Sequence, residues 1–264
     1  MISLLAFYAF ALGAVVGSFL NVVIHRWPRE ESIVFPGSHC PRCNAPIRWY
    51  DNLPIASWLI LRGRCRSCRE PIAARYPLVE LANALFYLAI YLRTGPTIGF
   101  IPVAAIVSMT LVLIWIDLDV QYLPNVVTYP GIVVGLTIGV LSLGEHYPDL
   151  TLSTSWIDSA AGAIAGAGVL LVIHLAYKLV RRGEGMGLGD VKMLAMIGGV
   201  VGWEPLFGIL MLASIAGAVS GILLAIFTRA TMRDALPFGV FLGLALLVVM
   251  FFGEPLAAWY MRML

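Results

Sequence analysis

"FIPVAAIVSMTLVLIWID", residues 100–117, is the stretch on which the fold turns. It carries no charge from Phe100 to Ile116 and then stops on an acid, Asp117. A run of that length approaches the ~20 residues a helix needs to span a bilayer core. A carboxylate at its lip is costly in lipid unless it has a partner, a water-filled pocket or a function. The arrangement returns in reverse order further along. "GMGLGDVK", residues 185–192, sets Asp190 among glycines directly before a second apolar run, residues 193–201.

Composition extends this reading to the whole chain. It is 60% hydrophobic and 12% charged, against ~45–50% and ~25% for ordinary soluble domains, and its mean hydropathy is +0.91. An all-α polytopic membrane protein bathed in lipid is predicted. A net charge of +2 gives no basis for a nucleic-acid partner. Eight spans are predicted, at residues 2–24, 78–92, 100–116, 126–143, 157–180, 191–203, 206–227 and 236–260. The second is short and carries Glu80 and Asn83. The sixth is also short, and the eighth is interrupted at Gly253–Pro255. The first lacks the basic start and small-residue cleavage site of a signal peptide.

Charge sets the orientation. Fifteen of the 17 basic residues fall in three segments, 25–77, the loop after the fifth span and the loop after the seventh. Strict alternation puts all three on one side, which the positive-inside rule makes cytosolic. Both termini then lie outside. Three parts follow: a first helix (1–24), a cytosolic domain (25–77) and a membrane core (78–264). Small residues recur at four-residue spacing in Gly13/Gly17, Gly131/Gly135/Gly139, Gly162/Gly166 and Gly217/Gly221, the pattern of closely packed apolar helices. No internal repeat stands out.

All four cysteines sit in the cytosolic segment, as Cys40-Pro-Arg-Cys43 and Cys65-Arg-Ser-Cys68. Two Cys-x-x-Cys pairs at this separation are a zinc pattern. A reducing cytosol argues against disulfides, which remain the alternative. Four thiolates close the coordination sphere, so the zinc is expected to be structural, clipping together a small ribbon. Between the pairs, Trp49, Tyr50, Asp51 and Trp58 suit a ligand pocket and, equally, a small core and interface belt.

Asp117 and Asp190 fall on one face of the membrane by charge segregation alone. Two carboxylates sharing a site cannot both ionise cheaply, so one keeps its proton. The ionised one can activate water while the other polarises a peptide carbonyl. Asp119 is turned ~200° from Asp117 on a helix and cannot face the same pocket. The alternatives are solvated caps at span ends and proton-coupled transport.

The order of these motifs resembles the type IV prepilin peptidase/N-methyltransferase family, membrane enzymes of bacterial pilus assembly and type II secretion. The resemblance rests on "GSFLNVVIHR" (17–26), "CPRC" (40–43), "YDNLPIASWLILRGRC" (50–65), "RCRSC" (64–68), "RYPLVEL" (75–81), "IDLDVQYLP" (116–124) and "EGMGLGDVKMLAMIG" (184–198). It implies that Asp117 and Asp190 form an aspartyl protease dyad, with "GLGD" as the G-x-G-D signature shared with presenilin-like proteases. It implies removal of a basic leader from prepilins or pseudopilins, after a glycine, at the cytosolic face of the inner membrane. It further implies methylation of the new N-terminus, usually Phe or Met, from S-adenosylmethionine, an activity that accompanies the tetracysteine loop. Asn125 stands where many relatives have Asp. No glycine-rich fingerprint for the methyl donor is visible, so the resemblance leaves that site unplaced. The rival readings are a peptidase without the transferase, and a zinc-clipped transporter or scaffold with inert aspartates.

Overall fold

The computed structural model describes residues 2–181, 187–227 and 236–263. Arg182, Arg229 and Arg233 of the basic loops, and Gly185 of the glycine stretch, lie outside the described residues. Among the described residues the chain is helical, with two isolated bridges and no strand. It forms two compact units, Met1–Pro96 and Thr97–Leu264.

The first unit holds α1 (Ile2–Arg26), the short α2 (Ala56–Ile60) and α3 (Arg75–Thr94). α1 and α3 touch along the Gly13/Gly17 face. A Cβ on Gly13 would stand 2.7 Å from Ala84 Cα, and one on Gly17 would stand 2.7 Å from Glu80 Cα. Small residues here let two backbones meet. The polar residues that weaken α3 as a span face this seam. Asn83, wholly buried, donates to the Gly13 carbonyl at 2.7 Å, and Asn21 on α1 donates to the Tyr76 carbonyl at 3.0 Å. Bonded in this way, an amide is tolerable at membrane depth. α3 therefore groups with α1 and the ribbon in the first compact unit, which ends at Pro96.

The second unit holds α4 (Phe100–Val120), α5 (Asn125–Val140), α6 (Leu143–His146), α7 (Trp156–Arg181), α8 (Leu188–Val201), α9 (Glu204–Phe227) and α10 (Phe238–Met261). Its centre is α8, where Val191 and every residue from Met193 to Val201 are buried. Glycines on both flanks make this possible. A Cβ on Gly135 of α5 would stand 3.0 Å from the Gly199 carbonyl carbon, and one on Gly166 of α7 would stand 2.8 Å from that of Leu194. Ser159 of α7, also buried, donates to the Gly199 carbonyl at 2.6 Å. The Gly217/Gly221 pair differs. Its neighbours are the side chains of Phe241 at 3.4 Å and Leu236 at 2.9 Å, so no backbone approaches there.

Each predicted span contains a helix. Among the described residues five are long and apolar enough to cross a membrane, namely α1, α4, α7, α9 and α10. α3, α5 and α8 are shorter or more polar; α5 has 16 residues and α8 has 14. The expected break in the last span is absent: α10 runs through Pro255 to Met261. A proline removes one helical hydrogen bond and need not end the helix.

Candidate functional site

The two Cys-x-x-Cys turns are built alike. In the first, the Cys40 N–H donates to the Ala45 carbonyl at 3.0 Å, that of Asn44 to Cys40 at 2.9 Å, and that of Ile47 to Ser38 at 2.9 Å. In the second, Cys65 donates to Glu70 at 2.9 Å, Arg69 to Cys65 at 3.0 Å, and Ile72 to Gly63 at 2.7 Å. The residue after each pair, Asn44 or Arg69, takes a left-handed turn at φ +55° or +63°. An internal repeat therefore exists, contrary to expectation. Its signal is the shared pattern C-x-x-C-x-x-P-I at 40–47 and 65–72, too short to register against the long apolar stretches.

The turns bring the four thiols together. All four sulfurs lie within 4.8 Å of one another, and Cys40 Sγ is 3.8 Å from Cys68 Sγ. Disulfide sulfurs would stand about 2.05 Å apart. A tetrahedral ion with bonds of about 2.3 Å spaces its sulfurs about 3.8 Å apart, so these residues could hold one. Backbone N–H groups of Cys68 and Ser67 hold the Cys65 thiol down at about 7. Cys68, despite an N–H from Glu70, is pushed up to about 12 by desolvation and by the thiols of Cys43, Cys65 and Cys40. A divalent cation would relieve that crowding.

The residues between the turns divide their roles. Trp58 donates from its indole to the Ile72 carbonyl at 3.1 Å. It packs so tightly under Gly63, at φ +65°, that a Cβ there would stand 2.9 Å from the ring. Arg66 grips Asp51 with two bonds of 2.7 and 2.6 Å, holding its carboxyl below the usual range. Arg48 and Arg66 each stand 5.8 Å from the Tyr50 ring centre. Trp49 is left exposed.

In the second unit the two acids occupy facing helix ends. Asp117 lies in the last turn of α4 and is 4% exposed, while Asp119 is exposed. α4 ends as Gln121 turns left-handed at φ +52° and returns its N–H to the Asp117 carbonyl at 2.9 Å. The turn folds Leu123 inward. A Cβ on Gly189 would stand 2.9 Å from Leu123 Cβ, and one on Gly239 would stand 3.1 Å from its methyls. From the first turn of α10, the Val240 N–H donates to Asp117 Oδ2 at 3.0 Å. Asp190 lies in the first turn of α8, half-buried, and interacts electrostatically with Asp117. Asp117, buried and bonded to the Val240 N–H, is thus no solvated cap.

The described glycines beside Asp190 have ordinary backbones. Gly187 starts α8 at φ −69°, an ordinary backbone, and Gly189 is helical with no positive φ. Gly189 is small because Leu123 presses on it, not because its torsions demand glycine. Lys192 is engaged elsewhere, donating to Asn125 Oδ1 at 2.7 Å and lying 5.2 Å from the Tyr129 ring centre. Leu123, Gly239 and Val240 carried no sequence signal, since they come from separate helices and belong to no spacing pattern.

Two family models match the chain: the Bacterial Peptidase A24 N-terminal domain over residues 11–94 and the Type IV leader peptidase family over residues 104–222. Several proteins named prepilin leader peptidase/N-methyltransferase are similar. That of Aeromonas hydrophila is 37% identical, covering 96% of this chain and 92% of its own. That of Pseudomonas putida is 34% identical, covering 97% and 93%. That of Myxococcus xanthus is 42% identical, covering 85% and 64%. No solved structure matches.

Proposed function

The chain belongs to the type IV leader peptidase family, and from that premise we propose that it is a prepilin leader peptidase and N-methyltransferase of the bacterial inner membrane. Its substrates are prepilins or pseudopilins. The observation that carries the peptidase reading is the convergence of α4, α8 and α10. A buried Asp117, fixed by the Val240 N–H, meets Asp190 at the start of a buried helix.

The geometry performs hydrolysis in two roles. The ionised carboxylate of the pair takes a proton from water, and the protonated one donates to the scissile carbonyl. The Val240 N–H keeps Asp117 from rotating away, and the first turns of α8 and α10 turn the positive ends of their dipoles toward the acids. Leu123, wedged against Gly189 and Gly239, holds the three helix ends in register. Eight membrane passes with the dyad at the cytosolic face follow from the basic-residue segregation.

The four cysteines would hold a structural zinc with no open position. S-adenosylmethionine is the methyl donor. The names of the similar proteins, prepilin leader peptidase/N-methyltransferase, together with the N-terminal domain match over residues 11–94, favour the bifunctional reading over peptidase alone. The test is cleavage of a prepilin by purified protein in detergent. Asp117→Asn and Asp190→Asn should each abolish it while leaving membrane insertion intact, and Asp119→Asn should be mild. Near wild-type processing by Asp190→Asn would overturn the aspartic mechanism.

A further inference from the structure

The first unit encloses a cavity of about 550 Å³, within the ~300–1,000 Å³ range of small-molecule sites. Its walls are the two cysteine turns and the adjoining ends of α1 and α3. On α3, one side chain in this cavity stands out. Glu80 is 8% exposed, yet among the described residues it forms no ion pair. Its Oε2 accepts the Ile55 N–H at 2.7 Å, and the Ser18 hydroxyl also bonds to it. The cavity is lined by apolar side chains, among them Leu53, Ile55, Trp58, Leu61 and Ile72, and also by Arg26, Arg48 and Arg66.

Two physical points follow. A buried carboxylate without a cation is costly, and the structure offers only neutral donors to offset that cost. In addition, Ile55 sits at φ +62°, a conformation that β-branched residues rarely adopt. Strain of this kind persists where the surroundings over-determine it, commonly at ligand clamps. Here it aims the Ile55 N–H at Glu80 and so fixes the carboxylate in the cavity wall, where among the described residues no arginine of the lining pairs with it.

The missing partner is a cation. We propose that Glu80 seats the α-ammonium of the newly exposed pilin N-terminus, which makes this cavity the place of methyl transfer; the inference rests on the bifunctional reading above. The apolar lining accommodates a hydrophobic first residue beside its ammonium. Glu80 stands near the start of α3, and Ser18 near the end of α1, so both lie at the cytosolic ends of their spans by the charge-derived orientation. A pilin helix still in the membrane presents its amine at that level, and a soluble sulfonium donor enters from the water side. The ammonium passes a proton to Glu80. The freed nitrogen lone pair attacks the methyl carbon, and the carbon–sulfur bond breaks with its electron pair returning to sulfur. A neutral thioether and an N-methylated ammonium result, and Glu80 returns its proton to water.

The test uses the full chain in detergent and two labelled peptides that begin with phenylalanine, one with a free amine and one N-acetylated. The wild type should bind the free-amine peptide about tenfold or more tightly than the acetylated one, as expected of a hydrogen bond to a charged group. Glu80→Gln keeps an acceptor for Ile55 and should erase that preference. It should also lower methyl transfer at least tenfold, leave donor binding by calorimetry within about twofold, and leave leader cleavage intact. Equal wild-type binding of both peptides overturns the proposal, as does a Glu80→Gln protein that keeps the preference. A loss of donor binding with the peptide preference intact overturns it too, since Glu80 would then face the sulfonium. Should Glu80→Gln fail to fold, shown by lost cleavage, the two-peptide comparison in the wild type still decides. A wild type that neither binds donor nor transfers methyl sinks the bifunctional reading instead, and peptide preference alone then decides on Glu80.

Discussion

Gly239→Ala is a small change with a directed consequence. The added Cβ would stand 2.9 Å from Asp117 Oδ2 and 3.1 Å from the Leu123 methyls, whereas ordinary contact begins at 3.4 Å. Leu123 cannot yield freely, because it is 5% exposed and already presses on Gly189. The carboxylate must therefore recede by about 0.5 Å, straining its bond to Val240 in a close-packed interior. A misplacement of about 1 Å can cost about a hundredfold in rate. Half of that distance, on the same logarithmic scale, is about tenfold, or about 1.4 kcal/mol of activation free energy. Initial rates of prepilin cleavage in detergent, normalised to membrane-extracted protein, measure it. The control is Gly168→Ala on α7, whose Cβ meets nothing within 4 Å and which should cleave as the wild type does. Methylation of an already trimmed pilin should be unchanged in both. Wild-type cleavage by Gly239→Ala would refute the claim that α10 positions Asp117.

Metal analysis of protein purified without chelator should find one zinc per chain, lost in Cys40→Ser or Cys65→Ser along with the ribbon. Methylation should suffer at least as much as cleavage in those variants, and zinc-free wild type would end the structural-zinc reading. Reporter fusions after Gly144 and after Arg182 should report opposite compartments; the same compartment for both would break the topology and separate the two acids.

The parts legible in the sequence were those with a period, a charge or a reactive group. Apolar runs located the helices, and Cys-x-x-Cys spacing located the four sulfurs that meet within 4.8 Å. Asp117 stood out because it directly follows the uncharged run that ends at Ile116. The illegible parts depend on which helix ends meet. Nothing in "QYLPN" marks Leu123 as a wedge, and nothing in "LPFGV" marks Val240 as the donor to Asp117. Glu80 read as a blemish in a weak span, because a sequence shows the cost of a buried acid but not the N–H of Ile55 that holds it. The glycines beside Asp190 were visible, yet the closeness of the Leu123 side chain to Gly189 was not.

The burial of α8 bears on how the chain is made. Its 14 residues span about 21 Å as a helix, well short of a bilayer core of about 30 Å. It carries Asp190 and Lys192 at its entrance and keeps almost none of its surface for lipid. Such a segment gains little by leaving the translocation machinery alone. Its favourable surroundings are the glycine faces of α5 and α7, both synthesised before it. Integration should therefore proceed by α8 docking onto partners already in place, so that Asp190 enters the membrane only when the pocket for it exists.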